Sequence, residues 1–491
     1  MNPLFLLFPV IFPIAGGAFL LTGRISQKED RKRNLYSESV VCITSVLVFT
    51  ALLFVKREPC EVYSFVRGFS IAFGVDGLGS LFAGMVSVMW PLVMLYAFAY
   101  MKATEEKNKF YAFYVMTYGV TLGIAFASNI TTLYVFFEML TLVTIPLVSY
   151  YKDHESMFAG RKYAAYTFFG AGLAFLAVVI TTIHGNAGAF AYGGSLSGTG
   201  PALFMQSAFL FGLFGFGAKA AVFPLHGWLP TASAAPTPVT ALLHAVAVVN
   251  SGVFACMRLC WYIYGPDYLL GTGVLTAALV TVCFSMVFSA AMALKERHFK
   301  RRLAYSTASN LSYMLFGVLL MTPEGFLGGL LHMLFHGIIK MTLFLCAGAF
   351  MHMTGNAYIY QVNGAGKKMP ATFSFYTLAA LSLTGIPLFC GFISKWALVM
   401  AGIRADTKWA VLGVASLIIS AFLCAMYTLS VSIRAFFPVS GKDYYAKAGG
   451  IMETPVLMLI PIVIFGILNL VFGIHSAPVL AFLSKIAEGI L

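Results

Sequence analysis

The chain has 491 residues, of which 60% are hydrophobic and 10% charged, with a mean hydropathy of +0.87. A soluble domain is about one quarter charged, so this composition excludes a water-soluble enzyme and requires an integral membrane protein. The net charge of +13 would suit a nucleic-acid partner, but the placement of that charge, taken up below, excludes one.

Apolar runs of about twenty residues recur from end to end, each able to cross a bilayer core of about 30 Å as a helix. In chain order they fall near 4–22, 35–55, 76–100, 109–127, 130–150, 162–184, 203–223, 237–264, 270–293, 303–321, 325–351, 372–403, 408–436 and 454–474. The sequence therefore predicts an all-α, polytopic membrane protein with about fourteen transmembrane helices. The first run, MNPLFLLFPVIFPIAGGAFLL, lacks a basic n-region and a small-residue cleavage site, and it reads as a span rather than a signal peptide. No hydrophilic stretch is long enough to fold as a nucleotide- or flavin-binding module. Redox or ATP chemistry is thus expected only in partner chains, and no cofactor is expected on this one. The eight cysteines lie mostly inside spans with no C-x-x-C pair, which argues against a disulfide framework or an iron–sulfur site.

With fourteen spans the loops form two alternating sets. One set, around residues 24–33, 102–109, 152–162, 295–302, 367–368 and 434–447, carries 21 basic residues; the other carries five, Lys56, Arg57, Arg67, Arg404 and Lys408. The positive-inside rule puts the first set in the cytoplasm and both chain ends outside. Most of the basic excess is therefore topological.

Only Lys219, Arg258, Lys340 and Lys395 remain as basic residues deep in spans, with Glu138 as their acidic counterpart in LYVFFEMLTLVTIPL. A charge at the bilayer centre costs on the order of 2.5–3.5 kcal/mol on insertion scales, so each needs a partner, a watery cavity or a function. Arg258 lies near the end of its span and is expected to snorkel to the interface. Glu138, Lys219 and Lys395 are too far from any loop to do so. His244, in TALLHAVAVVN, would by itself be a helix–helix hydrogen-bonder. LLHMLFHGIIKMTLF is different: His332, His336 and Lys340 follow at steps of four, each turning about 40°, and form one titratable stripe suited to relaying protons. His332 and His336 share the spacing of H-E-x-x-H zinc sites, but Met333 follows and no carboxylate is near, so no metal site is expected. Haem ligation from two helices is weakened by the crowding of Lys340.

Two spans are interrupted. In KAAVFPLHGWLP (219–230) Pro224 removes an amide donor, and the run from Pro230 to Pro238 prevents regular helix, so Lys219 is expected beside freed carbonyls. In LSLTGIPLFCGFISKWALV (381–399) Gly385 and Pro387 again interrupt a long apolar run and Lys395 follows, so the two lysines stand on opposite sides of their breaks. Paired interruptions in two halves point to inverted repeats and to ion sites at the breaks.

AKAAVFPLHGWLPTASAAPTPVTALLHAVAVVNSGVF, KRRLAYSTASNLSYM (300–314) and GFISK (391–395) resemble the large antiporter-like subunits shared by respiratory complex I, membrane-bound hydrogenases and Mrp-type cation/proton antiporters. The resemblance covers about 109–436. It implies three N-terminal helices (1–108), two inverted five-helix repeats (109–264 and 265–437), each with a discontinuous helix, and a C-terminal helix and tail (438–491). It further implies that Glu138 and Lys219 form a carboxylate–lysine pair of the fifth and seventh spans. His244 would then bridge from the eighth, His332, His336 and Lys340 relay in the eleventh, and Lys395 end the path in the twelfth, with Lys300 helping to connect the halves. Many relatives have lysine where this chain has Asn250, which leaves the bridge to His244. The chain ends soon after the last span, without the long lateral helix of the largest complex I relative, and its wording is nearest to hydrogenase-associated subunits.

The implied function is proton translocation, with Na⁺ as a further candidate ion, by a subunit of a complex-I-related, redox-driven complex in a prokaryotic cell membrane. Other membrane subunits would be its partners, and this chain would hold no catalytic redox centre. The alternatives are an Mrp Na⁺/H⁺ antiporter subunit, or a structural anchor whose charges stay idle.

Overall fold

The computed structural model describes residues 2–66, 68–185, 188–196, 200–439, 443–446 and 450–491. Arg67, Lys442 and Lys447, counted above among the loop charges, lie outside the described residues. Helices α1 (Leu7–Leu21) and α2 (Asp30–Phe54) lead to an antiparallel hairpin of β1 (Cys60–Val66) and β2 (Phe69–Phe73). Then come α3 (Gly77–Tyr100), α4 (Lys107–Ala125), α5 (Ile130–Val148), α6 (His154–Ile183), α7 (Ala202–Gly217) and the short α8 (Trp228–Ala232). Helices α9 (Thr237–Ala245) and α10 (Val248–Met257) are one apolar segment interrupted at residues 246–247, which runs on as π-helix over Arg258–Tyr264. After α11 (Pro266–Leu269) follow α12 (Gly273–Lys295), α13 (Phe299–Leu319), α14 (Pro323–Thr354), α15 (Ala365–Lys368), α16 (Pro370–Thr384), α17 (Cys390–Arg404), α18 (Lys408–Phe436), α19 (Val456–Ile474) and α20 (Ala477–Ala487).

Helix occupies every apolar run read from the sequence, and among the described residues ten helical segments are long and apolar enough to cross a membrane. The caps are the ordinary ones. Asp76, Asn129 and Asp153 accept hydrogen bonds from the amides of Gly79, Thr132 and Ser156 at 2.7–2.8 Å, and so begin α3, α5 and α6. The hairpin is an addition to the all-α expectation. It is pinned to the start of α5, where Asn129 Nδ2 donates to Ser70 O at 3.0 Å and the Thr132 hydroxyl accepts from Ala72 N at 2.8 Å.

The loops separate into two ends, as the charge pattern requires. At the basic end Lys107 pairs with Asp30, Lys152 with Glu106 and Arg301 with Glu155. At the other end Gly74 N donates to Phe126 O, Phe190 N to Ser128 O, and Gly77 N to Leu491 O. Arg258 sits at this second end and does not snorkel. It is fully buried, forks onto Asp76 and is walled by the rings of Phe190, Phe254 and Tyr262 at 4.5–5.0 Å. The burial follows from its partner: Asp76, the N-cap of α3, receives the guanidinium inside the helical body.

The centre of the molecule is α14, which packs on α13, α16, α17, α19 and α9 and is buried almost throughout. The segment from α9 to the π-helix is enclosed likewise. Both breaks depend on close backbone approach. A Cβ at Gly252 of α10 would stand 2.4 Å from Ala220 N, and one at Gly391 of α17 would stand 1.9 Å from Ser382 O of α16. These contacts hold each interrupted stretch of backbone against a neighbouring helix. Gly391→Ala is therefore expected to force α17 away from α16 and destabilise the chain by about 1–3 kcal/mol, read as a lower midpoint of thermal unfolding in detergent.

Candidate functional site

Every lysine and histidine singled out from the sequence is buried inside the helical body. Lys219 lies in the segment between α7 and α8. Its ammonium donates to the carbonyl oxygen of Phe137 on α5, sits 3.6 Å from the centre of the Phe137 ring and is 3.9 Å from Glu138 Oε1. The acceptor is thus a carbonyl of α5, and not one freed by the break as the sequence leads one to expect. The break's own carbonyls are used elsewhere: Gly217 O accepts from Val222 N and Ala218 O from Trp228 Nε1 at 2.8 Å. Trp228 is packing material, with its ring 4.9 Å from that of Tyr163, and His226 lies between the rings of Phe223 and Phe288.

His244 lies in the last turn of α9. Its Nε2 lies 3.4 Å from Ser233 Oγ and its ring stacks at 4.8 Å on Phe344, which is one turn from Lys340 on α14. Asn250 donates from Nδ2 to Ala245 O at 2.8 Å, capping the carbonyl that the interruption leaves open. That gives Asn250 a structural task. Lys300, in the first turn of α13, donates to Ala235 O at 2.8 Å, two residues from Ser233, and so ties α13 to the segment before α9.

On α14 the stripe forms as predicted. The rings of His332 and His336 are 5.9 Å apart, and Lys340 follows one turn on. Lys340 donates to Ser306 Oγ at 2.7 Å and to Leu303 O at 3.1 Å. His332 lies between Asn310 Oδ1, 3.1 Å from Nε2, and Ser394 Oγ, 2.9 Å from Nδ1. The side-chain amide of Asn310 is oriented by its Nδ2 bond to Ser306 O at 2.7 Å, so Oδ1 faces the imidazole as an acceptor. Ser394 has a second acceptor in Gly391 O at 3.2 Å. Neutral His332 donates from Nε2 and accepts the Ser394 hydroxyl at Nδ1. Protonated His332 donates from both nitrogens while the hydroxyl turns to Gly391. Both protonation states are fully hydrogen-bonded, which is what a proton carrier needs. His336 has neither ring nitrogen hydrogen-bonded, and Gly337 beside it brings α14 against the end of α9, where a Cβ would lie 3.3 Å from Ala245 O.

Lys395 closes the line. Its ammonium donates to Leu383 O at 2.5 Å and Thr384 O at 3.2 Å, the last carbonyls of α16 before the second break, and lies 5.3 Å from the centre of the Tyr313 ring. Carbonyls freed by a break serve here, although the sequence reading placed them beside Lys219: Gly385 and Ile386 amides satisfy Leu381 and Ser382, leaving the next two acceptors to a cation at a helix C-terminus.

The sequence reading missed the α13 side of this site. Ser306, Asn310 and Tyr313 stand at i, i+4 and i+7 and touch Lys340, His332 and Lys395 in turn, and Tyr427 of α18 donates to Ser306 Oγ at 2.8 Å. The signal was present in YSTASNLSY as a polar stripe of helical period. One gap also stands: no hydrogen bond joins Lys219 to His244 among the described residues.

The family model described as "NADH:quinone oxidoreductase/Mrp antiporter, TM" matches residues 127–420, which contain every one of these side chains except Tyr427. The chain belongs to this family. It is 31% identical over 439 residues to a Na⁺/H⁺ antiporter subunit of Alkalihalophilus pseudofirmus, covering 83% of this chain and 52% of that protein. It is 28% identical to the L subunit of NADH-quinone oxidoreductase from Mycobacterium tuberculosis, over 93% of this chain and 73% of the relative. To the N subunit of the NADH-quinone oxidoreductase of Desulforudis audaxviator it is 29% identical, over 90% of each chain. It thus spans about half the length of the antiporter relative and most of the quinone oxidoreductase relatives. The fold recurs in a chain of an archaeal membrane-bound sulfane sulfur reductase, with a TM-score of 0.85, 21% identity and coverage of 99% and 97%. It recurs also in a chain of the Mrp complex of Dietzia, with a TM-score of 0.83, 20% identity and the same coverage.

Replacing Asn310 by Leu removes the acceptor of the imidazole Nε2–H and leaves a buried donor unpaired. The expected cost is about 1–3 kcal/mol, seen as a lower thermal midpoint of the purified chain, whereas Leu311→Ile on the same helix leaves both ring bonds of His332 intact.

Proposed function

We propose that this chain is an antiporter-like, ion-translocating membrane subunit of a multisubunit complex, and that it moves protons along Glu138, Lys219, His244 and the α14 stripe of Lys340, His336 and His332 to Lys395. The observation that carries this reading is the His332 site, where a fully buried imidazole has hydrogen-bond partners for either protonation state, set within a line of buried cations. An idle structural histidine needs partners for one state only.

In the pair, the Glu138 carboxylate offsets the buried ammonium of Lys219. Separation of the two leaves an uncompensated cation in a medium of low dielectric, and the proton moves on to an acceptor. A contact of 3.9 Å is near the limit of an ion pair, so small movements of the break suffice to change it. The neighbouring subunits bias the pair, which couples their reaction to ion movement as a free energy between sites. We place any redox centre in those partners, with this chain holding no cofactor. The basic loops are assigned to the cytoplasm and both termini to the outside. Residues 109–264 and 265–437 are assigned as inverted five-helix units, each carrying one broken helix, and Lys300 as the joint between them.

The 31% identity to a Na⁺/H⁺ antiporter subunit supports a second reading, exchange of Na⁺ for H⁺ without redox chemistry. The proteins that copurify with the chain distinguish the two: redox-module subunits in one case, small antiporter subunits in the other.

Lys219→Ala and Glu138→Ala are each expected to abolish most proton translocation by the complex reconstituted in liposomes while leaving its assembly intact. Normal translocation by either variant, measured with a pH-sensitive dye, would sink the proposal.

A further inference from the structure

A second carboxylate lies at membrane depth with no part in the line above. Glu38 is in α2, eight residues past Asp30 and so about 12 Å along the helix. Its Oε1 accepts from Cys42 Sγ at 3.5 Å, and its Oε2 is buried without a hydrogen-bond partner. The surroundings repeat the pattern. Asn34 Oδ1 and Ser37 Oγ on α2, Ser87 Oγ and Trp90 Nε1 on α3, and the Tyr114 hydroxyl on α4 are buried and unpartnered as well. Buried polar atoms in proteins nearly always have partners, and water supplies them where side chains do not. Six such atoms between three helices describe a seam that takes up water.

The seam connects at both ends. At the basic end of the molecule a cavity of about 810 Å³ is lined by Asn34 together with Asp30, Arg33, Lys107 and Tyr111. Toward the interior, Trp90 and Tyr114 line a second, small and mainly apolar cavity of about 10 Å³, shared with Thr117 and Thr144. The Thr144 and Tyr163 hydroxyls are 2.8 Å apart. From there Thr141 and Glu138 follow at three-residue steps along α5, and Thr141 Oγ1 and Glu138 Oε1 are again buried without hydrogen-bond partners.

We propose that Glu38 is the relay carboxylate of a proton-loading path that runs from the 810 Å³ cavity through the seam between α2, α3 and α4 to Glu138. The Glu38 carboxylate takes a proton from cavity water and becomes the carboxylic acid. It returns that proton to water in the seam, and the hydroxyls of Tyr114 and Thr144 each accept one proton as they release their own. The Glu138 carboxylate is the final acceptor, and Glu38 is left as carboxylate again, so only one proton has moved. The path meets the ion line at the member that pairs with Lys219, so loading Glu138 and releasing the lysine are one event. The inference rests on the proposed role of Glu138.

The test uses the whole complex, isolated through a tag on this chain, reconstituted in liposomes and driven by its own redox reaction or by an imposed Na⁺ gradient. Glu38→Gln is expected to lower the initial rate of proton translocation by about ten-fold or more with normal assembly, and Glu38→Asp to restore a large part of it. Tyr114→Phe is expected to slow translocation too, and the double variant to be no slower than Glu38→Gln alone, as befits two members of one path; independent structural defects would add. A wild-type rate for Glu38→Gln beside a lost rate for Glu138→Gln overturns the loading path and leaves Glu138 in place. Wild-type rates for both remove the role of Glu138 as well. Should Glu38→Gln fail to assemble, Tyr114→Phe decides: a wild-type rate in that assembled variant overturns the path.

Discussion

A cation buried among apolar helices must find oxygen, and in this protein the backbone supplies it. Lys219, Lys300, Lys340 and Lys395 all donate to main-chain carbonyls, of Phe137, Ala235, Leu303, and Leu383 with Thr384. Only Lys395 takes carbonyls from the last turn of a helix; Phe137 and Leu303 lie inside α5 and α13 and offer Lys219 and Lys340 the second lone pair of a carbonyl on a neighbouring helix. Interruptions, helix ends and inter-helix approaches are therefore not defects of the fold but the means by which it holds charge at membrane depth. Carbonyls also impose no fixed protonation state, whereas a carboxylate partner would favour the ammonium strongly. Of these four lysines only Lys219 has a carboxylate among the described residues, and at 3.9 Å it is a loose one.

This constraint explains the arrangement of the helices around α14. The three titratable groups of that helix require polar neighbours on a helix packed alongside, and α13 provides them at matching intervals. Where α13 offers no partner the pattern changes: His336 has neither ring nitrogen hydrogen-bonded. That position lies between a histidine satisfied on both sides and a lysine satisfied by α13.

Arg258 shows the opposite solution. It is forked onto Asp76 and surrounded by three aromatic rings, so its charge is fixed, and the segment carrying it is anchored to the start of α3. One chain thus contains two classes of buried cation, one clamped by a carboxylate and one left to carbonyls. The family match over 127–420 holds Arg258 and all four lysines, so cations of both classes lie within it.

The sequence alone determined the helical membrane architecture, the two loop sets and the charges that lie deep in spans, because composition and the spacing of four along a helix act locally; that Arg33, Lys300 and Arg302 are buried as well emerged only from the packing. KAAVFPLHGWLP announced a break at Lys219, and GIPLFCGFISK another before Lys395, because proline forbids regular helix wherever its missing amide is needed. Which oxygen each lysine meets was decided only in three dimensions: Phe137 is 82 residues from Lys219, while Leu383 is 12 from Lys395. The β-hairpin, the enclosure of Arg258 and the alignment of Ser306, Asn310 and Tyr313 with α14 are likewise contacts between distant segments. A polar stripe can be read along one helix, but its partner depends on how two helices are turned toward each other, and packing alone fixes that.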